Sequence, residues 1–386
     1  MQLLDLILLF PVALAGLSFS YVGVCIVALL CFRRRLHAEP DWSFRPSVTV
    51  LKPVCGMETN LAENLRSFCR QDYENFQVIF GVHDEHDPAI PTVRALIEEF
   101  PERDISLVVD DTLTGSNYKV SNLVNMFASA RHEIIVVADS DMRVCRDYLK
   151  TVVAPFADSN VGAATCVYSG RASGRLATKL GAMFVNDWFL PSALIPAIFG
   201  RLTYCFGATM AIRRSNLEEF GSFDALADVL ADDYMFGRLV HQQGKRIALI
   251  PYIVENVIED PSLKALFLHE LRWARTIRSV EPLGYAASTV TEIFPLALLA
   301  SGCLFAVTES FGYAAALLAL AAVLRLALHY TISSTIPGRT RPTPWLVPLR
   351  DLLSPIIRLA CYFGTTVTWR ERDFVIQSDM RFKPAE

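Results

Sequence analysis

Three long apolar runs break an otherwise alternating chain of 386 residues. From Leu6 to Phe32 no charged residue occurs, and the run stops at Arg33-Arg34-Arg35. At 1.5 Å per helical residue it is long enough to cross a hydrocarbon core of roughly 30 Å. Ile293–Val307 and Tyr313–Leu328 are similarly apolar and joined by a five-residue link, which predicts a helical hairpin. Arg325, near the end of the second run, is expected to snorkel toward the interface. A further stretch, Trp345–Thr366, is interrupted by Pro348, Arg350, Asp351, Pro355 and Arg358, and the pattern leaves open whether it spans, re-enters or lies flat. Positive charge marks the cytoplasmic side, so Arg33–Arg35 and the later Arg339-Thr340-Arg341 place the intervening polar region in the cytoplasm.

That region, about residues 45–280, has a different rhythm. Short β-branched runs at Ser47–Leu51, Phe76–Val82, Ile105–Val109, Glu133–Ala138 and Val161–Val167 read as strands. Between them, Asn60–Arg70, Val93–Phe100, Lys119–Ala130 and Arg146–Pro155 read as helices. Strand–helix alternation predicts a doubly wound, mostly parallel α/β sheet with ligands at the C-terminal strand ends. The expected organisation is a membrane anchor over residues 1–35, an α/β domain over 45–280, and a membrane hairpin with further interfacial or spanning elements and a tail over 290–386. Within the α/β region, Trp188–Phe199 is apolar yet too short to span, and is expected to form an interfacial element at a lipid entrance.

Composition narrows the chemistry. A mean hydropathy of +0.33 together with 20% charged residues fits a polar domain with its apolar excess concentrated in a few segments better than a pure membrane bundle. A net charge of −4 gives no electrostatic reason to expect nucleic acid. The nine cysteines are scattered without a Cys-x-x-Cys pair, which argues against structural zinc and fits a reducing compartment. No Gly-x-Gly-x-x-Gly or P-loop sequence is present.

Four segments can carry chemistry. The apolar run Ile134–Ala138 ends in Asp139-Ser140-Asp141, two carboxylates at a strand tip. Carboxylates so close repel unless a cation lies between them, and a hard divalent ion also takes substrate phosphates. The bland alternative is a capping turn. Phe80-Gly81-Val82-His83-Asp84-Glu85-His86-Asp87 is a second strand running into acids, suited to a nucleoside or simply to a solvated loop. Asp232-Asp233 opens a helix, as an ordinary N-cap or as a general base for an acceptor hydroxyl. His269-Glu270-Leu271-Arg272-Trp273-Ala274-Arg275 sets Arg272 and Arg275 on one helical face, for a diphosphate or a membrane surface.

Taken in order, these segments resemble the membrane glycosyltransferases of the ceramide glucosyltransferase type, whose pattern is three acidic motifs followed by Gln/Arg-x-x-Arg-Trp. Here they stand as Asp87 with Asp84, Asp139, Asp233, and His269-x-x-Arg272-Trp273. Val50-Leu51-Lys52-Pro53, Gln71-Asp72-Tyr73, Lys119-Val120-Ser121-Asn122-Leu123, Cys205-Phe206-Gly207-Ala208-Thr209-Met210 and Thr368-Trp369-Arg370-Glu371-Arg372 extend the likeness along the chain. The resemblance implies a GT-A fold, a UDP-sugar donor, Mg²⁺ or Mn²⁺, and inversion at the anomeric carbon. It assigns Asp84, Asp87 and Lys119 to the nucleotide and Asp139 and Asp141 to the metal. Asp233 becomes the base with Asp232 beside it, and His269, Arg272 and Trp273 go to the diphosphate or acceptor. The family has Gln or Arg where this chain has His269. The second acid, Asp141, points to a bacterial branch, such as the enzymes that add N-acetylglucosamine to a hopanoid polyol. A single sugar, N-acetylglucosamine or glucose, would then pass to a hopanoid or ceramide at a bacterial inner membrane. The alternatives are a processive polysaccharide synthase, which needs more spanning helices than this chain offers, and a non-enzymatic membrane scaffold that keeps the fold.

Overall fold

A computed structural model describes residues 3–38, 41–200, 202–338, 341–369, 372–376 and 382–384. Arg339, Thr340, Arg370 and Glu371 of the segments above lie outside the described residues. The chain forms two compact units, one of residues 1–35, 172–198 and 260–368, the other of residues 36–171, 199–259 and 369–386.

The second of these is the α/β unit, built on a mixed eight-stranded sheet. Its strands are β1 (Val48–Pro53), β2 (Phe76–Val82), β3 (Asp104–Val109), β4 (Ile134–Val137), β5 (Met142–Arg143), β6 (Val161–Ala172), β7 (Met210–Arg213) and β8 (Arg246–Ile258), in the order β3-β2-β1-β4-β7-β6-β8-β5. The expected parallel sheet forms over β3-β2-β1-β4. From β4 onward the neighbours β7 and β6 add antiparallel. Every residue of β1, β2 and β4 is buried, which is why these strands read as continuous apolar runs rather than alternating ones. Their side chains meet those of the helix Leu61–Cys69 in a core around Val50, Leu65, Phe68, Val78, Phe80 and Val136. Strand order reverses between β1 and β4, so a crevice opens beyond their C-terminal ends, at Lys52-Pro53 and at Asp139.

Two further elements bring side chains to that crevice. The helix Tyr118–Phe127 is capped by Asn117, whose Oδ1 accepts from the backbone N–H groups of Lys119 and Val120. The helix Asp232–Gln242 starts with the two acids and packs tightly through Gly237, where a Cβ would lie 2.3 Å from Tyr204 Cα.

The other unit is helical. The helices Leu3–Leu36, Ile293–Thr308 and Phe311–Thr335 realise the three apolar runs, with Glu309 in the left-handed region between the last two. Two stretches, Leu8–Leu36 and Phe311–Thr335, are long and apolar enough to cross a membrane. A third crossing results if Pro282–Thr291 and Ile293–Thr308, bent by 68°, count as one broken span. The interrupted stretch becomes the helix Val347–Cys361, whose 15 residues reach only about 22 Å.

Arg325 does not snorkel. It is 6% exposed, and its guanidinium lies 3.0 Å from Asp187 and 3.0 Å from Asp351. The expectation failed because Asp187, within the apolar stretch around Trp188, and Asp351 supply charges that a hydropathy pattern does not pair. Asp187 sits in a π-helical turn, Phe184–Phe189, that runs into the helix Leu190–Ile198. Two more buried pairs follow the same rule, Arg350 with Glu270 at 2.6 Å and Arg358 with Glu292 at 3.1 Å.

Candidate active site

The crevice gathers five carboxylates and two lysines. Lys119 Nζ lies 2.8 Å from Asp139 Oδ1 and 3.1 Å from Asp232 Oδ2, bridging the tip of β4 to the start of the Asp232–Gln242 helix. Burial works against its charge, but Asp139 and Asp232 outweigh it and raise the Lys119 pKa. Lys52 Nζ donates to the backbone carbonyl of Asp139 and lies 3.7 Å from the centre of the Phe68 ring. Burial lowers Lys52 to about 7, opposed by Asp139 and Asp141.

Asp139 and Asp141 turn to different partners. Asp139 faces Lys119, whereas Asp141 Oδ2 accepts from Asn256 Nδ2 on β8 at 2.7 Å. The other oxygen, Asp141 Oδ1, is buried without a hydrogen-bond partner. Burial and then the Asp139 charge raise Asp141 to about 6. Ser140 Oγ donates to Glu58 Oε1 at 2.9 Å, and burial with the Asp141 charge raises Glu58 to about 7. Glu58 thus adds a carboxylate that sequence reasoning missed. Lys52 and Asn256 are further omissions. The Lys52 signal was present, since a lysine in a largely apolar strand needs a charged or carbonyl partner. Glu58 and Asn256 stand 82 and 115 residues from their partners and carry no local signal.

Asp233 is held by two backbone amides. Gly207 N–H donates to Oδ2 at 2.9 Å and Tyr234 N–H to Oδ1 at 2.8 Å. Burial and the neighbouring Asp232 raise Asp233 to about 6. Gly207 lies between two acids, and a Cβ there would stand 3.2 Å from Asp139 Oδ2 and 3.5 Å from Asp233 Oδ2. Gly207→Ala should therefore push one carboxylate aside. We expect about a tenfold loss of kcat/KM with little change in Tm, since a displacement of a few tenths of an ångström disturbs reacting geometry more than packing.

The remaining sequence-derived candidates are placed as follows. Asp87 is buried, with its two oxygens accepting from Gly56 N–H at 3.1 and 2.9 Å and one also from Ala89 N–H at 2.8 Å. It fixes the loop after β1 against the loop after β2. Asp84 Oδ1 accepts from His86 N–H at 2.8 Å, an Asx turn. His269, Arg272 and Trp273 belong to the helix Leu263–Val280 of the helical unit. There His269 Nδ1 lies 3.2 Å from Asp260 Oδ1, its ring lies 4.2 Å from the Trp273 ring, and Trp273 stacks on Phe184.

Five carboxylates against two ammonium groups leave an excess of negative charge. With an unpartnered Asp141 oxygen, that composition fits a divalent cation. Among the described residues no three His, Cys, Asp or Glu side chains converge on one point. The protein would therefore offer one or two carboxylates, and phosphate and water the rest, as is common for Mg²⁺.

Comparison with known proteins agrees with this architecture. Ceramide glucosyltransferase 1 of Caenorhabditis elegans is 24% identical over 97% of this chain and 82% of its own length. Ceramide glucosyltransferase of Komagataella phaffii is 33% identical, over 34% of this chain and 28% of its own. Among solved structures, the mannosyltransferase PcManGT from Pyrobaculum calidifontis, in complex with GDP-Man and Mn²⁺, aligns over 92% of this chain and 99% of its own, with a TM-score of 0.57 and 22% identity. That likeness shows the GT-A fold. The profile of glycosyl transferase family 21 matches residues 11–382, so the chain belongs to that family and is a glycosyltransferase.

Proposed function

We propose that this enzyme transfers a single glucose or N-acetylglucosamine residue from a UDP-sugar to a hydroxyl of a membrane lipid, ceramide or a hopanoid polyol, with inversion. The names of the relatives support a lipid acceptor. The mannosyltransferase complex, with its GDP-sugar and Mn²⁺, supports a nucleotide-sugar donor and a divalent ion. The observation that carries the reading is Asp233. Its carboxylate is oriented by the Gly207 and Tyr234 amides and raised to about 6, ionised at neutral pH yet basic enough to accept a proton. Asp232, engaged with Lys119, is less free to do so.

Asp139 and Asp141 would hold Mg²⁺ or Mn²⁺, which supplies charge neutralisation at the diphosphate leaving group. Lys119, bridging Asp139 and Asp232, keeps the strand tip and the base helix in register. Asp233 takes the acceptor proton as the hydroxyl oxygen attacks the anomeric carbon from the face opposite the diphosphate. Asp84 and Asp87 shape the nucleoside side, Asp87 by tying Gly56 to Ala89. His269, Arg272 and Trp273 are assigned to the diphosphate or acceptor on chemical grounds. Arg33–Arg35 support a cytoplasmic catalytic unit, and the second acid of the strand tip, Asp141, is what favours a bacterial inner membrane.

Full-length protein in phosphatidylcholine nanodiscs, given ceramide or, in a parallel arm, a hopanoid polyol, with UDP-glucose or UDP-N-acetylglucosamine, should yield in at least one arm a lipid heavier by one sugar in the mass spectrum. A ladder of sugars, or release of free sugar alone, overturns the reading. EDTA should lower the rate at least tenfold, and Mn²⁺ or Mg²⁺ should restore it. Undiminished turnover in EDTA removes the metal assignment.

A further inference from the structure

The helix Val347–Cys361 is turned inside out. Every exposed residue along it is apolar, and its three charged side chains, Arg350, Asp351 and Arg358, are buried. At 100° per residue Leu349, Leu352, Ile356 and Leu359 fall within an arc of about 80°. Trp345 in the turn before the helix and Phe363 in the turn after it continue the spacing of three and four. These six side chains are 46–78% exposed. The opposite side packs into the unit, where Arg350 meets Glu270, Asp351 meets Arg325 and Arg358 meets Glu292. Water favours the reverse arrangement, with charges out and leucines in. Hydrocarbon favours this one.

Two of those ion pairs fix how this helix lies against the hairpin of the same unit. Ser301 Oγ donates to the Ala314 carbonyl at 3.1 Å, which sets the register between the helices Ile293–Thr308 and Phe311–Thr335. Nine residues back from Ser301 is Glu292, and nine on from Ala314 is Val323. Glu292 and Arg325 therefore stand at nearly one level, about 3 Å apart along the hairpin. Their partners Arg358 and Asp351 are two helical turns apart, about 10 Å along their own axis. A helix held at two such points on one level runs across the hairpin, not along it. That level is about 21 Å from the Phe311 end, inside a hydrocarbon core of roughly 30 Å. Exposed Leu298, Leu299, Leu320 and Val323 give the hairpin itself an apolar outer surface.

We propose that the Val347–Cys361 helix lies in the plane of the bilayer, in the leaflet nearer Thr335, and that acyl chains of that leaflet cover its apolar stripe. An ordinary in-plane helix turns its charged side to the headgroups. Here the charges are paired inside the protein, so the helix sits at acyl-chain depth. The spacing of the stripe would also suit a second copy of the chain, but a level inside the core surrounds it with lipid. The inference rests on the hairpin as a spanning element and not on sugar transfer.

Full-length protein in phosphatidylcholine nanodiscs is irradiated with phosphatidylcholine carrying a diazirine either near the glycerol or at the acyl terminus. Leu349, Leu352, Ile356 and Leu359 should take label, with a shallow-to-deep ratio constant within about threefold along the helix. A ratio that changes by more than that from Leu349 to Leu359 means a steeply tilted helix and overturns the in-plane placement. Leu320 and Val323 report that the probes reach the hairpin. No label on the stripe while these two are labelled overturns the proposal, and two copies per disc by mass photometry would then name a second copy as the occupant. Label absent from Leu320 and Val323 as well removes the spanning hairpin, and the inference with it. Labelling uses no turnover, so it reports on the helix even if Asp233→Asn proves fully active and the catalytic assignment falls.

Discussion

Asp233→Asn should lower kcat about 10³-fold while changing the KM for the nucleotide sugar less than threefold. The amide keeps the shape of the carboxylate and can still accept from one of the two amides at Gly207 and Tyr234. It cannot take a proton. The loss should therefore fall on the chemical step, with Tm close to that of the parent. Steady-state kinetics with labelled donor measure it, and a variant with parental kcat removes Asp233 as the base. The pH dependence follows from the same residue. Asp233 is raised from 3.8 to about 6, so below that pH it carries the proton it is meant to accept. kcat/KM should climb through about pH 6 and level off above it. The stability contribution has the opposite slope. The folded chain binds this proton more tightly than the unfolded chain, so ionisation between about 4 and 6 weakens folding.

Arg350→Met should destabilise the protein by about 3–5 kcal/mol. Its guanidinium makes two hydrogen bonds to Glu270, at 2.7 and 2.6 Å, with both side chains at most 3% exposed. Removing the arginine strands a carboxylate in a place that water does not reach. Replacing both, as Glu270→Leu with Arg350→Met, removes the stranded charge and should recover most of the loss. Melting of the four proteins in one detergent closes the double-mutant cycle, with a coupling of about 2 kcal/mol or more expected. Additive losses would mean that the pair does not interact in solution.

Within the parallel half of the sheet, β1, β2 and β4 were legible because they are buried on both faces. Phe76–Val82 falls where its apolar run predicts, and β1 and β4 shift by a residue or two at their ends. β7 and β8 went unread, and for physical reasons. Met210–Arg213 has four residues, too few to show a period. Arg246–Ile258 carries Pro251, Tyr252, Glu255 and Asn256 within its length. At the site, Asp139, Asp141 and Asp233 declared themselves as acids placed where an apolar run or a helix begins or ends. Lys119 was legible only as part of a resembling segment. Nothing local says that its ammonium joins Asp139 to Asp232, because that junction exists only once β4 and two helices converge. The buried ion pairs of the helical unit were hidden in the same way. Arg325 and Asp187 are 138 residues apart, and each looks like an isolated intruder in an apolar stretch.

Arg325 also settles how the Phe311–Thr335 helix is turned. A rod covered in leucine and alanine would find nearly equal comfort at any angle about its own axis. The guanidinium, gripped from two sides by Asp187 and Asp351, removes that freedom, since advancing by a single residue would swing it about 100° away from both. One charged side chain thus sets the azimuth of a 25-residue cylinder.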